Sequence, residues 1–168
     1  GKVDILLVRH VWEHVYDQKE FSIALKNLIK EDGLILLEIP DYNKSIKKFD
    51  YTIIWEEHLY YYNKFTFENS IKENKFQPLK IKKYDYPSED VLVAIVKSGV
   101  EKNNKFNKTK LLEIKEDTQK YGKYFKKYKN LINKKINNLK SNKIIVLYGA
   151  GHTAVSFISF FNIKKYIT

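Results

Sequence analysis

Between residues 53 and 67 the chain reads IIWEEHLYYYNKFTF, setting His58 between the acids Glu56 and Glu57 and the tyrosines Tyr60, Tyr61 and Tyr62. An imidazole exchanges protons near neutral pH, and a carboxylate beside it orients the ring and raises its basicity. Phenol hydroxyls nearby can donate to an oxygen on which negative charge develops. The pattern suits a general base, His58, with Glu57 as its neighbour. A surface aromatic cluster with a solvated acid pair is the plainer alternative.

Two further groups of residues could do chemistry. Arg9-His10-Val11-Trp12-Glu13-His14 follows the apolar run Val3–Val8. Ligands of open α/β sheets bind outside the carboxyl ends of strands, so this stretch is placed to line a pocket. His10 and His14 are four residues apart, a spacing that could hold a metal on a helix. Glu13 stands in the wrong place for a His-Glu-x-x-His zinc motif, so a polar pocket wall is expected and no metal. Farther on, Gly149-x-Gly151-x-x-Ala154 has the form of a dinucleotide fingerprint, a glycine turn leading from a strand into a helix N-terminus. A tight structural turn fits the same residues equally well, and the acid that would confirm the fingerprint about 20 residues on would fall beyond Thr168.

The elements that must position these groups follow from periodicity. Val3–Val8 is a continuous apolar run, expected as a strand buried on both faces of a parallel sheet. Asp17 to Lys30 carries Phe21, Leu25, Leu28 and Ile29 at helical spacing, with Asp32-Gly33 expected to stop the helix. Leu34–Ile39 reads as a second buried strand, completing a βαβ unit. A short helix over 65–74, capped at Thr66, precedes strands over 79–86 and 91–97 joined through residues 87–90, a late antiparallel pair. From 107 to 139, Ile114, Tyr121, Phe125, Tyr128, Ile132, Ile136 and Leu139 make one apolar stripe on a long helix. Packing within the chain is preferred for that stripe over a coiled coil, because four clean heptads are lacking. Lys143 to Gly151 then reads as a buried strand and its turn, with an apolar helix over 155–161. The expected domains are 1–100, a connecting helix 101–142, and the truncated start of a second Rossmann-like domain, 143–168. A central strand so near residue 1 suggests a part of a longer chain.

Composition narrows the classes. The net charge is +11, yet of 31 basic residues only Arg9 is an arginine, which argues against the guanidinium forks of a nucleic-acid surface. No run approaches the roughly 20 apolar residues of a membrane span, and no signal pattern opens the chain. Cysteine is absent, so disulfides and thiolate metal sites are excluded; a cytoplasmic protein is expected.

Taken together, Asp4-Ile-Leu-Leu-Val-Arg-His-Val-Trp-Glu-His14, Gly33-Leu-Ile-Leu-Leu-Glu-Ile-Pro-Asp41, Glu57-His58-Leu-Tyr-Tyr-Tyr62 and Tyr148-Gly-Ala-Gly151 resemble, in order, the S-adenosylmethionine-dependent sugar C-methyltransferases. The resemblance implies an α/β fold, the later part of a class I methyltransferase sheet, with S-adenosylmethionine as cofactor and a nucleotide-linked 4-keto-6-deoxy sugar as partner. It implies His58 as the base that removes a proton beside the sugar ketone, with Glu57 beside it and His14 lining the sugar pocket. Trp55, Tyr60, Tyr62 and His10 would contact substrate, although Trp55 stands where that family often has a tyrosine. The family's cofactor-binding glycine loop has no counterpart here, so this chain alone is expected to bind cofactor poorly and to turn over nothing. Two other classes stay open: a non-catalytic nucleotide-binding domain using Gly149 and Gly151, and methyl transfer to oxygen or nitrogen of another small acceptor.

Overall fold

The computed structural model describes residues 1–87, 89–99, 106–140, 143–149 and 151–167. They form two compact units: Gly1–Lys44 with Glu57–Lys110, and Ser45–Glu56 with Leu111–Thr168.

The first unit is built on a four-stranded sheet of order β1-β2-β4-β3, formed by Val3–Arg9 (β1), Ile29–Asp41 (β2), Phe76–Tyr84 (β3) and Asp90–Ser98 (β4). β1 and β2 are parallel, joined through helix α1 (Gln18–Leu28), as the βαβ reading requires. β4 runs antiparallel between β2 and β3, so the sheet is partly parallel with the expected late antiparallel pair. Helix α3 (Lys64–Glu73) precedes β3. Ser88, in the connection between β3 and β4, lies outside the described residues.

Local chemistry sets the boundaries. The Asp17 carboxylate accepts from the backbone N–H groups of Lys19 and Glu20 and starts α1. The helix does not run to Lys30: Ile29 is already extended and opens β2. Gly33 is therefore not a helix stop. It sits where the parallel register slips, with Val3 opposite Ile29 but Ile5 opposite Leu34. A Cβ there would lie 2.6 Å from Ile29 Cγ1 and 2.9 Å from the carbonyl oxygen of Asp4, so close approach requires the glycine. The α3 cap also differs from expectation. Asn63 is the cap, and Thr66, three residues in, returns the bond to the Asn63 N–H in a capping box.

One face of the sheet is the core. Ile35, Leu37 and Ile39 of β2 and Leu92, Ala94 and Val96 of β4 are fully buried with Trp12, Phe67, Ile71 and Phe76, and Leu25 is buried beside them. The expectation of strands buried on both faces is corrected for β1. It is an edge strand whose one neighbour among the described residues is β2, and Ile5 and Leu7 remain 65% and 62% exposed. A continuous apolar run reads as a central strand only when both neighbours and both covering layers are present.

The second unit packs helix α4 (Lys108–Lys140) and helix α5 (His152–Phe161) with the segment that follows the short helix α2 (Asn43–Lys48). Tyr51, Tyr121, Phe161 and Ile163 are its buried centre, flanked by Phe125, Tyr128, Ile132 and Ile136. The Tyr51 hydroxyl donates to the carbonyl of Tyr121 (2.7 Å) and the Tyr121 hydroxyl to that of Asp50 (2.8 Å). The central part of the α4 stripe is thus spent inside the chain. Residues 143–149 are not the expected strand. They carry no regular element, no strand pairs with them among the described residues, and Ile144, Val146 and Tyr148 are exposed. An apolar run becomes a strand only when a ladder partner satisfies its backbone. Ala150, in the glycine turn, is outside the described residues; α5 does open after Gly151 as expected. No helix among the described residues is long and apolar enough to cross a membrane.

Candidate functional site

The parallel strands β1 and β2 end beside each other, and the residues just beyond those ends converge. At the end of β1, His10 takes a left-handed backbone (φ 51°) and its N–H donates to the carbonyl of Glu38 (2.9 Å). The Glu38 carboxylate accepts from Arg9 Nε and Nη2, both at 2.9 Å, and lies 3.2 Å from His10 Nε2. The Arg9 hydrogen bonds hold the Glu38 carboxyl below the usual range.

A single 3-10 turn, Trp12–His14, follows and is clamped from below. The buried Trp12 indole N–H donates to Ser70 Oγ (3.1 Å), and the Trp12 carbonyl accepts from Gln18 Nε2 (3.2 Å). Gln18 Nε2 also donates to the Tyr62 hydroxyl, and Ser70 Oγ to Gln18 Oε1 (2.9 Å), which closes a partly buried polar network. The 57–62 segment is stitched onto this platform. The N–H groups of Leu59 and Tyr60 donate to the carbonyl of Glu13 (3.0 and 3.2 Å), and that of Tyr42 to the carbonyl of Tyr62 (2.9 Å). Both sides of the site thus rest on backbone hydrogen bonds, which preserve geometry better than side-chain contacts alone.

Between these supports, His14 and His58 stand ring edge to ring face, with centroids 4.5 Å apart and planes at 73°. His14 Nδ1 is 2.8 Å from the carbonyl oxygen of Glu57. A carbonyl only accepts, so Nδ1 carries the proton and Nε2 faces Glu13, 4.0 Å from Oε1. His58 Nδ1 is hydrogen-bonded to the Tyr42 hydroxyl, and the Tyr61 ring stands 6.0 Å away at 63°. Burial first, then the charge of Glu89, pushes the Tyr42 phenol well above its usual range, so it stays uncharged. Glu13 is completely buried, and neither of its carboxylate oxygens accepts a hydrogen bond among the described residues. His10 Nδ1 is 3.5 Å from Oε1. Burial pushes the Glu13 carboxyl up, against the opposing charges of His10 and His14.

Of the residues singled out in the sequence, His14 and His58 come together, and His10 and His14 both approach Oε1 of Glu13. Glu57 meets His14 through its carbonyl. Tyr60 is partly exposed and stacks on Tyr62, with centroids 6.0 Å apart. Tyr62 is buried, with its hydroxyl engaged by Gln18 and Ser70. Trp55 belongs to the second unit. Its ring lies 4.8 Å from that of His152, beside a cleft of about 560 Å³ that Ile54, Glu56, Val155 and Phe160 also line. Gly149 has φ 129° and Gly151 caps α5, and a Cβ at either would meet nothing within 4 Å. Sequence reasoning passed over Tyr42 and the burial of Glu13. The signal for Tyr42 was its position one residue past the end of a parallel strand, where ligands of such sheets bind.

No protein-family model matches the chain, and no curated protein does. Among solved structures, its fold is similar to an S-adenosylmethionine-dependent methyltransferase from Clostridium acetobutylicum ATCC 824. That match has 14% identity and a TM-score of 0.45, and it covers 58% of this chain and 59% of that one. It is also similar to magnesium protoporphyrin IX methyltransferase from Synechocystis PCC 6803, solved with bound SAH, at 16% identity and a TM-score of 0.41. There the match covers 59% of this chain and 46% of the other, so this chain accounts for less than two thirds of either structure's length.

Proposed function

We propose that this chain contributes the proton-abstracting side of an S-adenosylmethionine-dependent C-methyltransferase whose acceptor is a nucleotide-linked keto-deoxysugar. The observation that carries the reading is His58, fixed by Tyr42 at one ring nitrogen and set against His14 beyond the ends of two parallel strands. The four sequence motifs supply the reaction class.

In the tautomer that gives Nδ1–H to the oxygen of Tyr42, His58 carries its lone pair on Nε2, and that atom takes the proton from the carbon beside the ketone. The imidazolium that forms keeps the Tyr42 oxygen as acceptor, so the ring need not turn during the transfer. His14, its tautomer set by the Glu57 carbonyl, lines the same space with a second imidazole. Enolate oxygen requires a donor, and Tyr61 is the nearest phenol to the His58 ring besides Tyr42.

The described residues of this unit do not fit a methyl-donor cradle. Such a cradle needs a glycine turn that lets backbone approach a nucleoside. Gly33 lies inside β2 and is closed off by Ile29 and Asp4, and Gly99, which is open and has positive φ, follows β4 at the opposite end of the sheet from the end of β2. What these residues do is confined to the acceptor.

The test, run on the full-length protein, is deuterium wash-in from heavy water at the carbon beside the ketone of a nucleotide-linked 4-keto-6-deoxy sugar, followed by mass spectrometry. Exchange is expected to fall by about 10²–10⁴ in His58→Ala, the usual contribution of a general base. Exchange no faster than in buffer, or full retention in the variant, overturns the reading. Methyl transfer to oxygen or nitrogen deprotonates no carbon, so the same assay separates it. A purely nucleotide-binding role would rest on Gly149 and Gly151, and the strand that should deliver that turn is absent among the described residues.

A further inference from the structure

We propose that Glu13, His14 and His58 form a binding site for one divalent transition-metal ion, zinc being the best match. Each residue offers one ligand atom, and the three atoms lie within 4.8 Å of one another. In a tetrahedral zinc shell with bonds near 2.1 Å, ligand atoms stand about 3.4 Å apart. Occupancy therefore asks the two half-buried imidazoles and the carboxylate to draw closer together.

A second and independent observation is the state of Glu13. Its side chain is wholly buried, and both oxygens go without a hydrogen bond among the described residues, although His10 Nδ1 stands 3.5 Å from Oε1. A buried carboxylate left in that condition is expensive, and structures tolerate it where a cation completes the site. The surroundings of the imidazoles fit as well. His14 donates Nδ1–H to a backbone carbonyl and turns Nε2 toward Glu13, the arrangement that fixes tautomer and raises basicity in metal-bound histidines. His58 is oriented the same way by the Tyr42 hydroxyl. Two imidazoles and one carboxylate are a borderline donor set that suits zinc or cobalt; magnesium and calcium prefer all-oxygen shells. Three protein ligands leave a fourth position open, as in zinc sites that take up water or a substrate oxygen.

This site shares His14 and His58 with the methyl-transfer reading, and a metal on His58 Nε2 would take the lone pair that accepts the proton there. Its test needs no turnover, so the two can fail separately. Metal-stripped protein is titrated with cobalt(II), following the visible bands of the bound ion, and then with zinc to displace it. One cobalt per chain is expected. His14→Asn and His58→Asn should each weaken binding by more than about 100-fold, beyond the 10–100-fold typical of losing an outer partner. His152→Ala should leave binding unchanged, and circular dichroism checks that each variant is folded. If wild-type protein binds no stoichiometric cobalt or zinc, or if a folded His58→Asn binds as tightly as wild type, the proposal is overturned.

Discussion

His14 is tied to the backbone immediately before His58: its Nδ1 lies 2.8 Å from the carbonyl oxygen of Glu57. One peptide unit therefore couples the positions of the two imidazoles, and any side chain at residue 57 can supply that carbonyl. Glu57 is also exposed. Glu57→Gln should change stability by no more than about 0.5 kcal/mol, as exposed substitutions do. Its wash-in rate should stay within about twofold of wild type, the same free energy read as a rate. A drop of more than about tenfold would show that the carboxylate itself takes part.

Tyr42 is a positioning residue for His58. Tyr42→Phe keeps the buried ring and removes the hydroxyl that fixes the imidazole, a hydrogen bond whose net worth is about 1 kcal/mol. The wash-in kcat is expected to fall by roughly tenfold while KM stays put, since misorientation affects the proton in flight and not the docking of the sugar. A rise in KM with kcat unchanged would place the hydroxyl on substrate instead.

Much of the fold was legible because it rests on periodicity. The βαβ unit, the late antiparallel pair and the long helix each announce themselves through apolar spacing over many residues. What escaped depends on who sits next to whom. Val3–Val8 and Lys143–Tyr148 are equally apolar runs, yet β2 lies beside the first as a ladder partner, and no strand among the described residues pairs with the second. The site divides in the same manner. His14 and His58 stood out as rare residue types at a strand end and in an aromatic run. Glu13 looks like any acid between histidines until the turn is folded, because its burial comes from Trp12 anchoring that turn through Ser70, 58 residues later in sequence.

Gly33 tests the register of the parallel pair. Gly33→Ala places a methyl group within 2.9 Å of the Asp4 carbonyl oxygen and closer still to the Ile29 side chain. Ile29 can turn aside, but the backbone oxygen cannot without opening the β1–β2 ladder. The expected cost is about 1–3 kcal/mol, typical of overpacking at a closed site. It should be read as a lower urea midpoint with unchanged slope. Equal midpoints would mean that β1 is not held in this register.

Glu38 gives a pH dependence with a definite sign. Its carboxyl is held below the usual range, chiefly by hydrogen bonds from Arg9, so the folded state favours the ionised form. A group whose folded pKa is depressed contributes stability that is present above its unfolded pKa, near 4.3 for glutamate. That contribution is lost as pH falls through the lower folded value. Arg9 is 64% exposed, so solvent screens the pair and its contribution is small. Wild type should therefore be slightly more stable than Glu38→Gln at pH 7. The gap should close as the solution is acidified below about pH 4, and it should narrow in high salt, because one partner is exposed to screening. Urea titrations of both proteins across that range read the gap directly. A difference that widens toward acid would mean that Glu38 is protonated in the folded chain and that Arg9 does not hold it as an anion.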